Sequence, residues 1–220
     1  MKTRKGYKVY PLTSAQKLHF YCLKYCPKKQ VLNIGSSLTI QGDLDWDVLK
    51  SCIQEAIARC DTMRLRFTHD KEGSIYQYVV KEETKEIEHF DFTGWKEQKL
   101  REWTEVPFER YDSPMHHIVM IKMPDGYQGL YICVDHMTMD AQSLILFFRD
   151  VIELYASRFY DEVEHPKEMS SYIRQLEKDL AYEAGSRACE KDRQFFQELI
   201  ASSEPIFTDI YGPKKLLEER

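Results

Sequence analysis

Apolar residues recur along much of this chain with helical spacing. After Gly42 they fall at intervals of three and four, the period of an amphipathic helix, at Trp46, Leu49, Ile53, Ala56, Ile57 and Cys60. The run from Leu144 to Phe159 is long and rich in Leu, Ile, Phe and Tyr, and it predicts a second helix packed against a core. Weaker helical patterns are expected at residues 14–26, 95–106, 171–183 and 188–200.

Other apolar runs have the length and flanking residues of β-strands, and strands are expected at residues 31–40, 63–68, 75–80, 87–92, 115–123 and 127–134. Two pairs of these runs are joined by short segments that contain Gly, Asp70–Gly73 and Pro124–Gly126, so each pair predicts a hairpin. The run at 127–134 is almost wholly apolar, which predicts a strand inside a sheet with both faces covered. These elements predict an α+β fold, a mixed or antiparallel sheet packed by helices.

The composition is that of a folded protein without an obvious nucleic-acid or membrane partner. Of 220 residues, 43% are apolar and 13% aromatic, enough for the core of one large domain or two small ones. Asp and Glu number 36 against 31 Lys and Arg, and the basic residues are dispersed, so nothing suggests a phosphate-backbone site. No run approaches the ~20 apolar residues of a membrane span, and none follows the basic start. We expect a cytoplasmic protein.

Six cysteines are spread through the chain, with no CxxC pair and no His at zinc-finger spacing. Cys22 and Cys26 lie one helical turn apart, a spacing that could hold a metal. Most of the six fall within apolar patterns, which favours buried thiols in a reducing compartment. We therefore expect no bound metal.

The clearest candidate for chemistry is the stretch Tyr131–Ser143. Its apolar run stops at Asp135, His136 follows directly, and a helical pattern starts after Asp140. A strand end and a helix start hold the backbone firmly and leave the short loop between them free to present side chains. From the spacing alone, a hydrogen-bonded core histidine and a helix-capping aspartate are the plainer interpretation of His136 and Asp140.

Other histidines give weaker signals. His116 and His117 are adjacent, but no Asp follows at a useful spacing, and strand alternation sends the two rings to opposite faces. His19 shares a helical face with Gln16 and Leu23, and it is expected to pack or to face solvent. We interpret none of the three as a ligand.

Three separated stretches carry recognisable motifs. Tyr10–Gln16 has the sequence YPLTSAQ, Arg59–Phe67 has RCDTMRLRF, and Val134–Ser143 has VDHMTMDAQS. In this order they resemble the opening motif, the RHExLRTxF motif and the HHxxxDG motif of condensation domains of nonribosomal peptide synthetases. These domains are chloramphenicol-acetyltransferase-like acyltransferases. Gly42–Asp45 and Pro107–Phe108 also fit the family's order, and the chain is similar to the N-terminal half of such a domain.

The resemblance implies an activity. Condensation domains form an amide bond between substrates tethered as thioesters to peptidyl or acyl carrier proteins, the amine of the acceptor attacking the carbonyl of the donor. The second histidine of the motif faces the reaction centre, and here it is His136, as a base or as a hydrogen-bonding group that orients the amine. No cofactor would bind directly, since the phosphopantetheine belongs to the carrier proteins. An adenylation domain would be a further neighbour.

The resemblance also assigns structural roles. Asp140 is expected to be the family's buried acid, paired with Arg59 or Arg64 of the second motif, because an unpaired buried carboxylate costs several kcal/mol. Two positions depart from the motif, with Asp135 in place of the first His and Ala141 in place of the Gly. If the Gly position requires a positive φ, Ala there costs about 1 to 2 kcal/mol.

Two alternative functions remain open at this point. Asp135, Asp140 and Ser143 match the DxxxxDxxS motif of heterocyclisation domains, which condense and then cyclise Cys, Ser or Thr. The other alternative is a catalytically inactive module that docks a carrier protein or a neighbouring domain, which the altered motif and the short length favour.

The length predicts a partial domain. The family's fold has two similar lobes with a tunnel between them, yet only 77 residues follow Ser143, 220 minus 143. We expect residues 1–175 to form the N-terminal, donor-half lobe and residues 176–220 a helical linker to a C-terminal lobe outside this sequence. Alone, the chain is expected to be inactive, because a reacting thioester would be open to water.

Overall fold

Helices and strands interleave through residues 3–83, 85–92 and 98–202, the part of the chain that the computed structural model describes. The strands are β1 (Thr3–Arg4), β2 (Tyr7–Lys8), β3 (Tyr10–Pro11), β4 (Asn33–Gln41), β5 (Leu65–His69), β6 (Ile75–Val79), β7 (Glu88–Asp91), β8 (His116–Lys122) and β9 (Tyr127–Asp135). The helices are α1 (Ser14–Tyr25), α2 (Trp46–Arg59), α3 (Gln98–Glu105), α4 (Ala141–Ala156), α5 (Tyr172–Glu183) and α6 (Arg187–Ser202).

The strand β9 lies inside a four-stranded sheet of order β4-β9-β8-β7. It is antiparallel to both neighbours, and its register with β4 pairs Asn33 with Asp135 and Gln41 with Tyr127. The edge strand β7 runs parallel to β8. All residues of β9 after Tyr127 are buried. The sequence-based prediction of an interior strand is therefore confirmed.

Helices cover both faces of this sheet. Leu130 and Ile132 of β9 lie in an apolar cluster with Ile53 of α2 and Phe147 of α4. The alternate residues of β9 lie in another cluster, which half-buried residues of α3 join. Side chains alternate between the two faces of a strand, so this division places α2 and α4 on one face and α3 on the other. The α+β layer arrangement expected from the sequence is confirmed.

A smaller sheet of order β3-β6-β5 lies beside the candidate loop. Its β5–β6 pair is antiparallel, as the hairpin pattern predicted, and the β8–β9 hairpin closes through a backbone bond from Met123 N to the Tyr127 carbonyl at 2.7 Å. Met137, from the loop after β9, packs with Leu65 and Phe67 of β5. The small sheet therefore packs against the loop that follows β9.

Several element boundaries differ from the sequence expectation, among them α4, which spans Ala141–Ala156 where the pattern covered residues 144–159, and β5, which begins at Leu65 instead of residue 63. β4 begins at Asn33, not at residue 31, because Lys29–Leu32 forms a 3₁₀ turn. α3 is described from Gln98 onward, and residues 95–97 of the expected helix lie outside the described residues. The unpatterned tail at 205–220 lies outside them too.

The chain divides into two compact units, Met1–Arg174 and Gln175–Arg220. The first contains every strand of the described residues together with α1 to α4. The second contains most of α5 and, within its described part, α6, which exposes several apolar side chains: Phe195, Phe196, Leu199 and Ile200. Among the described residues, no helix is long and apolar enough to cross a membrane.

Candidate functional site

The loop at residues 136–139 connects the central strand to α4, and backbone hydrogen bonds hold it. The His136 N–H donates to the carbonyl of Leu32 at 2.8 Å, and the Thr138 N–H donates to the carbonyl of Asp135 at 2.9 Å. The Thr138 hydroxyl donates to the same carbonyl at 2.8 Å. The strand end and the helix start therefore present His136 on a fixed backbone, as the sequence predicted.

Asp135, at the position of the family's first histidine, is fully buried. Its Oδ2 accepts from Arg110 Nη1 at 3.0 Å, and its Oδ1 accepts from the Met137 N–H at 2.9 Å. A buried carboxylate needs such partners, because an unpaired charge in the interior is costly. The sequence did not indicate Arg110. The buried acid of this site is Asp135, held by that arginine.

Asp140 is exposed, and the prediction that it is the buried acid is wrong. It is the N-cap of α4, where its Oδ1 accepts from the Ser143 N–H at 2.8 Å and from the Ser143 hydroxyl at 2.7 Å. These bonds lower the pKa of the Asp140 carboxyl, because they favour its charged form, and nearby His136 adds a smaller effect in the same direction. The plainer interpretation, a helix-capping aspartate, is the one the structure has.

The predicted pairing of Asp140 with Arg59 is also wrong. Arg59 forms a two-pronged ion pair with Asp150 of α4, Nε to Oδ2 at 3.0 Å and Nη2 to Oδ1 at 3.0 Å. Its Nη2 also donates to the carbonyls of Pro166 and Lys167. Arg59 therefore joins α2 to α4 away from the motif loop.

Arg64, the other proposed partner of Asp140, also forms its hydrogen bonds with other residues. It donates to Asp61 Oδ1 at 2.9 Å and to the Val80 carbonyl at 2.7 Å. Asp61 in turn accepts from the N–H of Tyr172 at 3.0 Å. The second motif thus braces the start of the β5–β6 hairpin.

Ala141 raises no backbone problem. It is the first residue of α4, and among the described residues only Lys5 and Asp112 have a positive φ without being glycine. The cost considered for Ala in place of the family's Gly therefore does not arise. The departure at this position leaves the loop backbone unstrained.

The two ring nitrogens of His136 lie in different environments. The residue is partly exposed, but its Nδ1 is buried and has no hydrogen-bond partner among the described residues. That leaves Nε2 as the nitrogen able to meet a substrate. Its ring also lies against His19 of α1, with centroids 4.6 Å apart and planes at 42°.

The glutamine of the opening motif fixes α1 against this loop. Thr13 and Gln16 form a capping box at the start of α1. The buried Gln16 amide donates from Nε2 to the carbonyl of Met137 at 3.2 Å and to Gln77 Oε1 at 2.9 Å. His19 lies one turn beyond Gln16 and so reaches His136. The expectation that His19 packs or faces solvent agrees with this contact, but the sequence did not indicate that the partner would be His136.

The other histidine and cysteine candidates lie outside the loop. His116 is a buried strand residue, and burial lowers its pKa to about 3, with a smaller effect of the nearby Arg66 charge. His117 is half-buried against Trp103, as expected for a strand histidine. Cys22 is exposed, and within the described residues there is no group of three or more His, Cys, Asp or Glu placed to hold a metal.

A helix-covered mixed sheet, with a histidine presented between its central strand and the following helix, defines a chloramphenicol-acetyltransferase-like lobe. A family model for the condensation domain matches residues 7–214. The chain belongs to the condensation domain family, and the resemblance seen in its three motifs is confirmed.

The curated relatives are much longer synthases. The chain is 28% identical over 206 residues to surfactin synthase subunit 1 of Bacillus subtilis (strain 168), a match covering 88% of this chain and 6% of that protein. It is 24% identical over 149 residues to tyrocidine synthase 3 of Brevibacillus parabrevis, covering 68% and 2%. The chain thus spans only a small part of either relative.

Solved condensation domains share the fold. The starter condensation domain of rhizomide synthetase matches with a TM-score of 0.74 and 21% identity over 90% of this chain and 49% of that chain. The first condensation domain of the calcium-dependent antibiotic synthetase, in complex with a substrate analogue, matches with a TM-score of 0.71 and 26% identity over 90% and 49%. The chain spans about half the length of these domains, and the predicted fold class is confirmed.

Proposed function

We propose that this chain is the N-terminal lobe of a condensation domain that joins an acyl or aminoacyl thioester to the amine of a second tethered substrate. The observation that carries the proposal is the placement of His136. It is partly exposed at the junction of β9 and α4, where the family has its HHxxxDG motif, and its backbone is fixed by the bond to Leu32. The reaction class is acyl transfer with formation of an amide.

His136 handles the proton of the attacking amine. As the C–N bond forms, the C–S bond of the donor thioester breaks, and one proton passes from the amine to the leaving thiol. A neutral imidazole can accept that proton and return it, or hold the amine by a hydrogen bond during attack. Because Nδ1 of His136 is enclosed, Nε2 is the atom assigned to this role.

The partners that we infer are those that membership of the condensation domain family implies. Both substrates arrive on the phosphopantetheine arms of peptidyl or acyl carrier proteins, and an adenylation domain is a further neighbour. Residues 1–175 form the donor-half lobe, and residues 176–220 connect to a C-terminal lobe that supplies the other wall of the tunnel. The support is the length of the solved condensation domains, of which this chain matches 49%.

The heterocyclisation motif finds little support in the geometry. Asp140 and Ser143 bond to each other at the exposed start of α4, whereas Asp135 is buried against Arg110. The three residues therefore do not share one polar site. A docking module without catalysis is the second candidate function, which the replacement of the first motif histidine by Asp135 favours.

The proposal is tested by single-turnover amide formation with the chain joined to its second lobe and two loaded carrier proteins. His136→Ala and His136→Gln are expected to lower the rate by about 100-fold or more, since each removes the proton acceptor. His89→Ala is the matched control, because His89 is an exposed histidine on the edge strand β7, and it is expected to retain the wild-type rate.

Two further results separate the candidate functions. A His136→Ala protein that forms product within twofold of the wild type would rule out the proposed role of His136. If both the wild type and the His136→Ala protein fail to form product, while a phosphopantetheine-bearing carrier still shifts the NMR signals of the chain, the docking module is the better assignment. The 220-residue chain alone is expected to show no turnover.

A further inference from the structure

A second imidazole lies against the histidine of the motif. The His19 and His136 ring centroids are 4.6 Å apart, and both residues are partly buried. His19 lies outside the three motif stretches, three residues after Gln16. Its position is therefore a feature of this chain that the motif does not explain.

Hydrogen bonds at residues close to His19 and His136 hold the two backbone segments that carry these rings. Gln16 Nε2 donates to the carbonyl of Met137, the residue after His136, at 3.2 Å. On the other side, the His136 N–H donates to the carbonyl of Leu32 at 2.8 Å. Since Gln16 is buried and belongs to the capping box at the start of α1, the fold itself sets the distance between the rings.

Two imidazoles at this distance affect each other's charge. Burial lowers the pKa of His19, the neighbouring His136 lowers it further, and Asp135 opposes this effect. The charged groups around the rings are Asp135, which Arg110 pairs, and Asp140 at the start of α4. Two cations this close repel, so a positive charge on His136 disfavours a positive charge on His19.

We propose that His19 is a positioning residue of the condensation site, whose ring packs against the His136 ring and fixes its orientation towards the amine of the substrate. A neutral aromatic face beside an imidazolium is attractive, whereas a second cation would repel it. This role rests on the proposed function, but the coupling of the two rings does not, and it is measurable in the chain alone.

The coupling is tested by NMR titration of the 220-residue chain with labelled histidines. In the wild type, His19 is expected to titrate below 6.5, the ordinary histidine value. In His136→Phe and His136→Gln, which both remove the neighbouring imidazole that lowers the His19 pKa, its midpoint is expected to rise. His89→Phe, which replaces an exposed histidine whose ring lies 4.1 Å from that of Trp46, is the control and leaves the His19 curve unchanged. An identical His19 curve in the wild type and both His136 variants would overturn the coupling.

The positioning role is tested in the amide-forming assay described above. His19→Ala is expected to lower the rate by about 10- to 100-fold, because the His136 ring loses its support, and His19→Phe, which keeps an aromatic face, is expected to recover most of that loss. Equal rates in His19→Ala and the wild type, or equal losses in both variants, would overturn the positioning role. Failure of the proposed function would appear separately, as an active His136→Ala protein.

Discussion

Arg110 and Asp135 form an ion pair at the end of the central strand, with Nη1 3.0 Å from Oδ2 and only 1% of the carboxylate side chain exposed. The other carboxylate oxygen accepts from the Met137 N–H, so the pair joins the segment before β8 to the loop that carries His136. The acid in place of the first motif histidine thus has its own counter-charge. The departure from the family motif is therefore compensated within this lobe.

Removing Arg110 is expected to destabilise the protein strongly. Arg110→Ala leaves Asp135 buried and unpaired, and breaking a buried pair from one side costs about 3 to 5 kcal/mol of unfolding free energy. Urea denaturation measures the loss. Arg149→Ala, which breaks an exposed ion pair with Glu153, is the control and is expected to cost at most about 1 kcal/mol. The double variant Arg110→Ala/Asp135→Asn should regain part of the stability, and no recovery would count against this account of the pair.

Asp140 is expected to contribute as a helix cap, not as a buried charge. Asp140→Ala should cost about 1 kcal/mol, because α4 loses the acceptor for the Ser143 N–H, while Asp140→Asn keeps most of the cap. Thermal or urea unfolding distinguishes the two models. A loss several times larger for Asp140→Ala would instead favour the buried-acid assignment that the structure contradicts.

The same carboxyl predicts a pH dependence. The hydrogen bonds from Ser143 hold its folded pKa below the ordinary value of 3.8. A lowered folded pKa stabilises the protein above the unfolded value, and that stability is lost as the pH falls through the folded one. The stability difference between wild type and Asp140→Asn should therefore shrink below about pH 4. A difference that stays constant down to pH 2 would contradict the assignment.

A double-mutant cycle separates the observed partner of Arg59 from the expected one. Arg59 and Asp150 share two hydrogen bonds in a largely buried setting, so their variants to Ala should be coupled by about 1 to 3 kcal/mol. Arg59→Ala and Asp140→Ala have no shared partner and should be additive within about 0.5 kcal/mol. Chemical denaturation of the single and double variants gives both numbers, and coupling to Asp140 would overturn the pairing seen here.

Gly129 allows β4 and β9 to approach closely. A Cβ at this position would lie 2.0 Å from the carbonyl oxygen of Leu38, a backbone atom held in the sheet. Gly129→Ala is expected to cost about 3 kcal/mol, because the strands must separate to admit the methyl group. Ser37→Ala, at an exposed position of β4, is the control and should stay within about 0.5 kcal/mol. Equal melting temperatures for the two variants would contradict the close approach.

Local patterns predicted the fold well because they depend on nearby residues. The apolar run at 127–134 gave an interior strand, the spacing after Gly42 gave α2, and the residues around Asp140 gave a capped helix. For Asp140 the local rule for helix starts was right, and the role carried over from the family was wrong. The strand-to-helix junction that presents His136 follows from the same local patterns.

The ion pairs and the histidine contact could not be predicted in this way. Arg59 and Asp150 are 91 residues apart, and several arginines and aspartates could have paired by composition alone. The contact of His19 with His136 depends on how α1 docks on the loop, which no short pattern encodes. Such partners are set by tertiary packing, and that is where the sequence interpretation failed.

The backbone bond between His136 and Leu32 has a consequence for folding. It lies next to the pairing of Asn33 with Asp135, two residues 102 positions apart, 135 minus 33. Pairings of this sequence separation form slowly, since the intervening loop must close before they contribute. We therefore expect the His136 amide to become protected from hydrogen exchange later than the amides of the β8–β9 hairpin, whose strands are joined by a short turn. Protection in an early phase would contradict this order. The histidine proposed for catalysis would then reach its working position only after the local hairpins have formed.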